Sequence, residues 1–415
     1  MSSASPLAAE TAAPRRWLSI VGIGEDGVEA LSPVARGLIA DAEIVFGGKR
    51  HLELAASLIR GAVRPWPSPF ERAAGEVTEH RGRPVCVLAS GDPFFYGVGA
   101  VLARHVAATE MLVLPSPSAF SLAAARMGWS LSDVALVSLH GRPLDLVRPH
   151  LHPGARILAL TSDSEGPHAL AALLRETGFG SSKLMVLEAL GGPRERIRAA
   201  GVADFSLTGI DALNVVALEI DATPGARILA RAAGLPDSLF EHDGQITKRE
   251  IRAVTLSTLS PRKNELLWDI GAGSGSVAIE WMLADPSLRA VAVEARADRA
   301  ARIRRNAAAF GVPGLEVVEG SAPGSLASLP QPDAVFVGGG AAAPGLLDAV
   351  VAALRPGGRL VVNAVTLETE AVLLARHAAQ GGELVRIALS RADGVGEKTG
   401  WRPAMPVTQW VWVKP

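Results

Sequence analysis

Short apolar runs alternate with amphipathic helical stretches along almost all of this chain, and that rhythm admits few folds. Parallel strands need a crossover between them, so strand–helix alternation predicts an α/β architecture. The N-terminal half reads WLSIVGIG (strand), LSPVARGLIADA (helix), EIVFGG (strand), RPVCVLAS (strand), FFYGVGAVLARHVA (helix), MLVLPS (strand) and AFSLAAARMG (helix). Four more strands follow with longer loops: DVALVSL, ARILALT, KLMVLEAL and LNVVALEI. Near Asp221 the rhythm breaks, in a Pro/Gly/Asp-rich stretch without a clear period. Beyond it, strands LLWDI, AVAVE, LEVVEG, DAVFVG, RLVVN and ELVRIAL alternate with helices, and VTQWVWV closes the chain as an expected edge strand. This second series predicts a doubly wound sheet with a glycine loop directly after its first strand.

With 415 residues, two to four domains are expected at roughly 100–200 residues each. The expected division is a disordered tail over 1–15, a two-lobed domain over 16–222 (lobes 16–115 and 118–222), a linker over 223–242 and a doubly wound domain over 243–415. Thr247 followed by Glu250 predicts a capping box, and the helix behind it should bury Ile251, Val254 and Thr258 on one face.

A net charge of −1 and 5% aromatic residues argue against nucleic acid or an anionic membrane as partner. The lone cysteine, Cys86, lies inside an apolar run and reads as a buried inert thiol. The N-terminus lacks a basic start and a long apolar stretch, and no apolar run approaches the roughly 18 residues of a membrane helix. A soluble cytoplasmic protein is expected. No metal-ligand pattern and no nucleophile–base constellation stands out, so no metal is expected.

Two glycine turns carry the chemistry. In DIGAGSG, Gly271, Gly273 and Gly275 follow the acid Asp269, and Ser276 stands where a dinucleotide fingerprint has its third glycine. Nineteen residues after Gly275, Glu294 ends the next strand, where a carboxylate can accept hydrogen bonds from both ribose hydroxyls of an adenosyl group. Gly320, Ser321 and Ala322 follow the third strand, at the place of an adenine edge. NAD(P) and a purely structural turn remain the alternatives. Near the N-terminus, Gly22, Gly24 and Gly27 match G-x-G-x-x-G, but Gly47-Gly48-Lys49 stands where a Rossmann site has its acid. Two further strand-end loops, GDPFFYG (Gly91–Gly97) and PSPSAF, would line the same cleft.

The DIGAGSG series, with LRPGGRLVVN after it, resembles the class I S-adenosylmethionine (SAM) methyltransferases. After strand four, Gly338, Gly339 and Gly340 replace the Asn-Pro-Pro-Tyr-like segment of the amine methylases of that class and leave space for a bulky acceptor. GIGEDG, GDPFFYG and PSPSAF resemble the tetrapyrrole methyltransferase family, with Glu25 departing from its usual glycine. That order of halves, with the joint GLPDSLFEHDGQITKREIR, resembles the precorrin-6Y methyltransferase family, decarboxylating enzymes of cobalamin synthesis. The resemblance implies a bifunctional C-methyltransferase with two SAM sites per chain. The C-terminal half would methylate carbon 15 and remove CO2 from the ring-C acetate, and the N-terminal half would methylate carbon 5, giving precorrin-8X.

The donor contacts it implies are Gly22, Gly24, Gly91, Asp92, Ser116, Ser118 and Ala119 in the first half, and Thr247, Gly271, Gly273, Ser274, Gly275, Glu294 and Gly320–Ala322 in the second. Asn363 and Thr366, after strand five, are candidate catalytic or substrate contacts. Lys49, Lys248, Arg249 and Arg252 are candidates for the substrate's carboxylates, whereas the arginines of DRAARIRRNAAAF read mostly as a solvated face. Methylation of another tetrapyrrole, or of RNA, is the alternative function. The resemblance also implies a homo-oligomer, with Trp401, Trp410 and Trp412 as contacts or as core.

Overall fold

The structure, a computed structural model, describes residues 16–415, so the expected tail over 1–15 lies outside the described residues. The chain divides into two compact units. One runs to Arg142 and resumes at His152–Ala226; the other joins Pro143–Leu151 to Arg227–Pro415.

The first unit holds two five-stranded sheets. Strands β1 (Leu18–Ile23), β2 (Ile44–Gly47), β3 (Ala62–Pro65), β4 (Val85–Ser90) and β5 (Met111–Leu114) run parallel in the order β3-β2-β4-β1-β5. Buried Leu18, Ile20, Val21 and Ile23 put apolar side chains on both faces of β1, as a central parallel strand requires. The connection after β1 runs to one side of the sheet and that after its neighbour β4 to the other, which opens a crevice at their carboxyl ends. The second sheet holds β6 (Val134–Ser138), β7 (Arg156–Leu160), β8 (Lys183–Glu188), β9 (Arg196–Gly201) and β10 (Asn214–Glu219) in the order β6-β7-β10-β8-β9, antiparallel except for β6–β7.

The second unit is built on β11 (Leu266–Ile270), β12 (Arg289–Glu294), β13 (Glu316–Glu319), β14 (Ala334–Val337), β15 (Arg359–Ala364) and β16 (Glu383–Ile387). A hairpin of β17 (Ser390–Val395) and β18 (Lys398–Pro403) precedes β19 (Val407–Val413). The sheet order is β13-β12-β11-β14-β15-β19-β16, with the switch point between β11 and β14.

Three expectations need correction. VTQWVWV is not an edge strand: β19 pairs antiparallel with β15 and β16, and β16 takes the edge. Val407 through Trp410 are all buried, so both faces of β19 are covered. Thr247 does not cap the next helix, Arg249–Leu259; Lys248 is its N-cap residue and no side chain caps it. That helix buries Ile251, Arg252, Thr255, Leu256 and Leu259, while Val254 is exposed, which turns the inward face away from the one expected. Strands β3 and β9 and the β17–β18 hairpin had no apolar signal to read, because their side chains are largely exposed.

The stretch expected to link the domains contributes Leu229, Leu235 and Phe240 to the core of the second unit. Arg252, fully buried, anchors it: its guanidinium donates to Glu280 Oε1 (2.6 Å), to Asp237 Oδ1 (3.1 Å) and to the Leu235 carbonyl. Glu280 also accepts from the Gly234 and Leu235 amides at 2.6 and 3.0 Å.

Candidate active sites

A cavity of about 670 Å³ opens at the carboxyl ends of β11, β12, β14 and β15. Gly271, Gly273 and Gly275 all adopt positive φ, and their turn wraps the end of β11. A Cβ on Gly271 would meet the Gly339 carbonyl at 3.0 Å, and one on Gly273 the Gln245 carbonyl at 3.1 Å. Glu294, buried at the end of β12, accepts from the Gly273 amide (2.9 Å) and the Arg296 amide (3.0 Å). These two bonds orient the carboxylate and leave lone pairs for a ligand.

Asp269, in β11, accepts from the Ala278 amide through Oδ2 at 3.0 Å, while Oδ1 is buried without a partner. Burial, reinforced by the charge of Glu294, pushes the Asp269 carboxyl up to about 7.

Thr247, Lys248, Gly271, Gly273, Glu294, Gly320, Ser321, Ala322 and Asn363 line this cavity. Ser274 and Gly275 do not: Ser274 is buried behind the turn, and Gly275 is needed because a Cβ there would strike Ile303 at 2.7 Å. Asn363 donates to Thr255 Oγ1 (3.1 Å) and accepts from Gln409 Nε2 (2.9 Å), a buried amide network with one member at the cavity wall. Thr366 caps the helix Leu367–Gln380 through its hydroxyl and is not among the lining residues. Arg249 is exposed outside the cavity, and Arg252 is sequestered in the interior by the bonds described above, so neither takes the expected substrate position.

Gln245, Ile246, Arg299, Arg391 and Met405 line the wall without having been expected there. Gln245 and Ile246 adjoin Thr247 and Arg299 follows Glu294 by five residues, whereas Arg391 and Met405 come from far along the chain and only folding brings them to the cavity. Arg299 lies on the helix Ala297–Ala309, whose arginines are more tied down than a solvated face: Arg299 and Arg302 pair with Asp243, Arg305 with Glu241 and Arg304 with Glu319.

In the first unit, the loops after β1, β4 and β5 are locked together by their main chains. The Ser116 amide donates to the Gly91 carbonyl at 3.1 Å, and Ser116 Oγ to the Gly22 carbonyl at 2.8 Å. A Cβ on Gly22 would lie 1.9 Å from the Gly91 carbonyl oxygen, and one on Gly91 (φ +51°) 2.7 Å from that of Pro117. Those glycines are required by contact between loops. A Cβ on Gly24 would meet Asp26 Oδ1 at 2.6 Å. Asp92 accepts from the Phe94 amide, and Ser118 caps the helix that begins at Ala119.

Lys49 is exposed in the first turn of the helix Lys49–Leu54. Its neighbour Arg50 pairs with Glu25 and donates to Ser90 Oγ at 3.1 Å. Glu25 also meets Arg194 at 3.2 Å, so the residue that replaces a glycine is a carboxylate shared by two arginines, one from each lobe. Burial, with Arg50 beside it, holds the His51 imidazole down at about 4. Phe94, Phe95 and Tyr96 are exposed in the loop after β4.

The family model of the tetrapyrrole (corrin/porphyrin) methylases matches residues 18–205, and that of the precorrin methyltransferase domain matches 238–414. The precorrin-6Y C(5,15)-methyltransferase [decarboxylating] of Sinorhizobium sp is 62% identical over 398 residues, 96% of each chain. The chain belongs to that family. Two shorter relatives match parts of it. The cobalt-precorrin-7 C(5)-methyltransferase of Salmonella typhimurium is 30% identical over 46% of this chain and 96% of its own. The probable cobalt-precorrin-6B C(15)-methyltransferase (decarboxylating) of Saccharolobus solfataricus is 37% identical over 33% of this chain and 71% of its own. Among the described residues of this family member, no helix is long and apolar enough to cross a membrane.

Proposed function

We propose that this chain methylates a precorrin at carbons 5 and 15 and removes CO2 from the ring-C acetate, giving precorrin-8X in cobalamin synthesis. The second unit methylates carbon 15 and decarboxylates; the first methylates carbon 5. The shorter relatives, one named for each carbon and each matching only part of the chain, support two separable activities. Each unit holds its own SAM.

The observation that carries the reading is the cradle in the second unit. It has a turn of positive-φ glycines, a buried carboxylate with lone pairs to spare, and open space beyond Gly339 and Gly340. These features fit an adenosyl ligand with a cationic sulfur. Glu294 would accept the ribose hydroxyls, Gly271 and Gly273 would let main chain approach the ligand, and Gly320–Ala322 would border the adenine. In the first unit the equivalent cradle is the locked loop trio of Gly22–Gly24, Gly91–Asp92 and Ser116–Ala119.

SAM supplies an electrophilic methyl group, and the meso carbons of a reduced tetrapyrrole are enamine-like nucleophiles. The protein therefore needs to orient and to exclude water rather than to attack, and positioning alone lowers such barriers by roughly 7–11 kcal/mol. The low count of reactive side chains at both cradles suits that task. A homo-oligomeric assembly and a cytoplasmic location complete the proposal; light scattering tests the first.

Mass analysis after incubating reduced precorrin-6 with SAM tests the function. The expected product has gained two methyl groups and lost one CO2. Labelled methyl groups appearing in RNA instead would replace this reading.

A further inference from the structure

Among the described residues lining the second unit's cavity, four are charged: Glu294, Lys248, Arg299 and Arg391. With Glu294 given to the donor, the rest of the wall is purely cationic, although the whole chain carries a net charge of −1. The three cations differ in how firmly they are held. Arg299, largely covered, donates to Asp243 at 2.9 Å. Lys248 lies 3.9 Å from Asp237. Arg391, on β17 at the foot of the hairpin, pairs with Glu250, and both side chains are about half exposed. Ion pairs of that exposure are weak, so a competing carboxylate can displace Glu250 readily. Beside Arg391 the wall is apolar, with Leu389, Val407 and the highly exposed Met405. A forked cation next to apolar surface suits an amphipathic ring that bears carboxylates.

We propose that Arg391 anchors a carboxylate side chain of the tetrapyrrole in the second unit, and that Glu250 occupies its guanidinium until the substrate carboxylate displaces it. The inference rests on the proposed function and names the substrate contact within that site. Glu250 acts through Arg391, as the carboxylate with which the substrate competes.

The test uses the full chain, with CO2 release from reduced precorrin-6 as the readout of the second unit. Arg391→Gln is expected to raise the KM for the precorrin about tenfold, the loss of about one charge-assisted contact. The KM for SAM should stay within about twofold, below half a kcal/mol. Glu250→Gln, which frees the guanidinium, should lower the precorrin KM, and the double variant should behave like Arg391→Gln alone. A merely structural pair would shift both variants in the same direction. An unchanged precorrin KM in Arg391→Gln, or a rise in precorrin KM in Glu250→Gln, overturns the anchor while wild-type turnover leaves the function standing. A wild type that releases no CO2 overturns the function, and the anchor with it. Should Arg391→Gln fail to fold, Arg391→Lys and Glu250→Gln decide: the lysine variant is expected to show an intermediate KM, and wild-type values in both reject the proposal.

Discussion

Gly22 and Gly339 look alike in sequence, since both lie near the carboxyl end of a strand, inside β1 and two residues beyond β14, yet they should respond oppositely to alanine. At Gly22 the new methyl would sit 1.9 Å from a carbonyl oxygen of the neighbouring loop. Gly22→Ala is expected to destabilise the first unit by about 3 kcal/mol or more, read by chemical denaturation. At Gly339 nothing lies within 4 Å, and Gly339→Ala should leave stability within about 0.5 kcal/mol while weakening ligand binding, read by calorimetry.

Asp269 gives a pH signature at the same scale. Its carboxyl rises from the ordinary 3.8 to about 7 in the folded chain, so the native state binds the proton more tightly than the unfolded state. Stability contributed by the protonated form is complete below about pH 4 and is lost as the pH rises through 7, by up to about 4 kcal/mol. Asp269→Asn keeps the acceptor for the Ala278 amide and removes the titration. Its stability between pH 5 and 8 should therefore be flatter than that of the wild type. A parallel pH dependence in the two proteins would contradict the buried-acid account.

At the scale of elements, the helix Arg249–Leu259 shows what side-chain chemistry hides. Arg252 lies beside the Thr247 turn and carries a charge, so its sequence context points to a solvent- or substrate-facing role. The helix turns it inward with Ile251, Thr255, Leu256 and Leu259, and Glu280 and two peptide groups receive it. Arg252→Met leaves the Glu280 carboxylate buried with only amide partners and is expected to destabilise the second unit by about 3–5 kcal/mol in urea titration.

The β-strands were legible where they are central, because two buried faces require continuous apolar runs, as in β1, β4, β11 and β12. Strand β9 was not, because its partner for Arg196 and Arg198 is the buried Glu188 of β8, a pairing invisible along the chain. The turn Gly271–Gly273, Glu294 and Gly320–Ala322 could be read locally, as each closes a strand. Arg391 and Met405 could not, since they reach the cavity from the β17–β18 hairpin and the segment just after it, more than 60 residues beyond the last of those turns.

At the scale of the whole molecule, the proposed function requires two bound donors per chain, one in each unit. Calorimetry should give two SAM sites in the wild type and one in Glu294→Ala. The variant should also fail to release CO2, while its first cradle, untouched, still takes SAM. One site in the wild type would contradict the reading. The second unit gathers Pro143–Leu151 as well as everything from Arg227, with Val147 and Leu151 buried. Such a discontinuous unit cannot be drawn from the rhythm of strands and helices, which sees only neighbours along the chain.

Cys86, in the middle of β4, is the only cysteine, and burial pushes its thiol up to about 12. A maleimide added to the native protein would meet no competing thiolate. A single cysteine placed at Trp401, which is exposed on the hairpin, can therefore carry a fluorophore or spin label in the otherwise unaltered wild-type background.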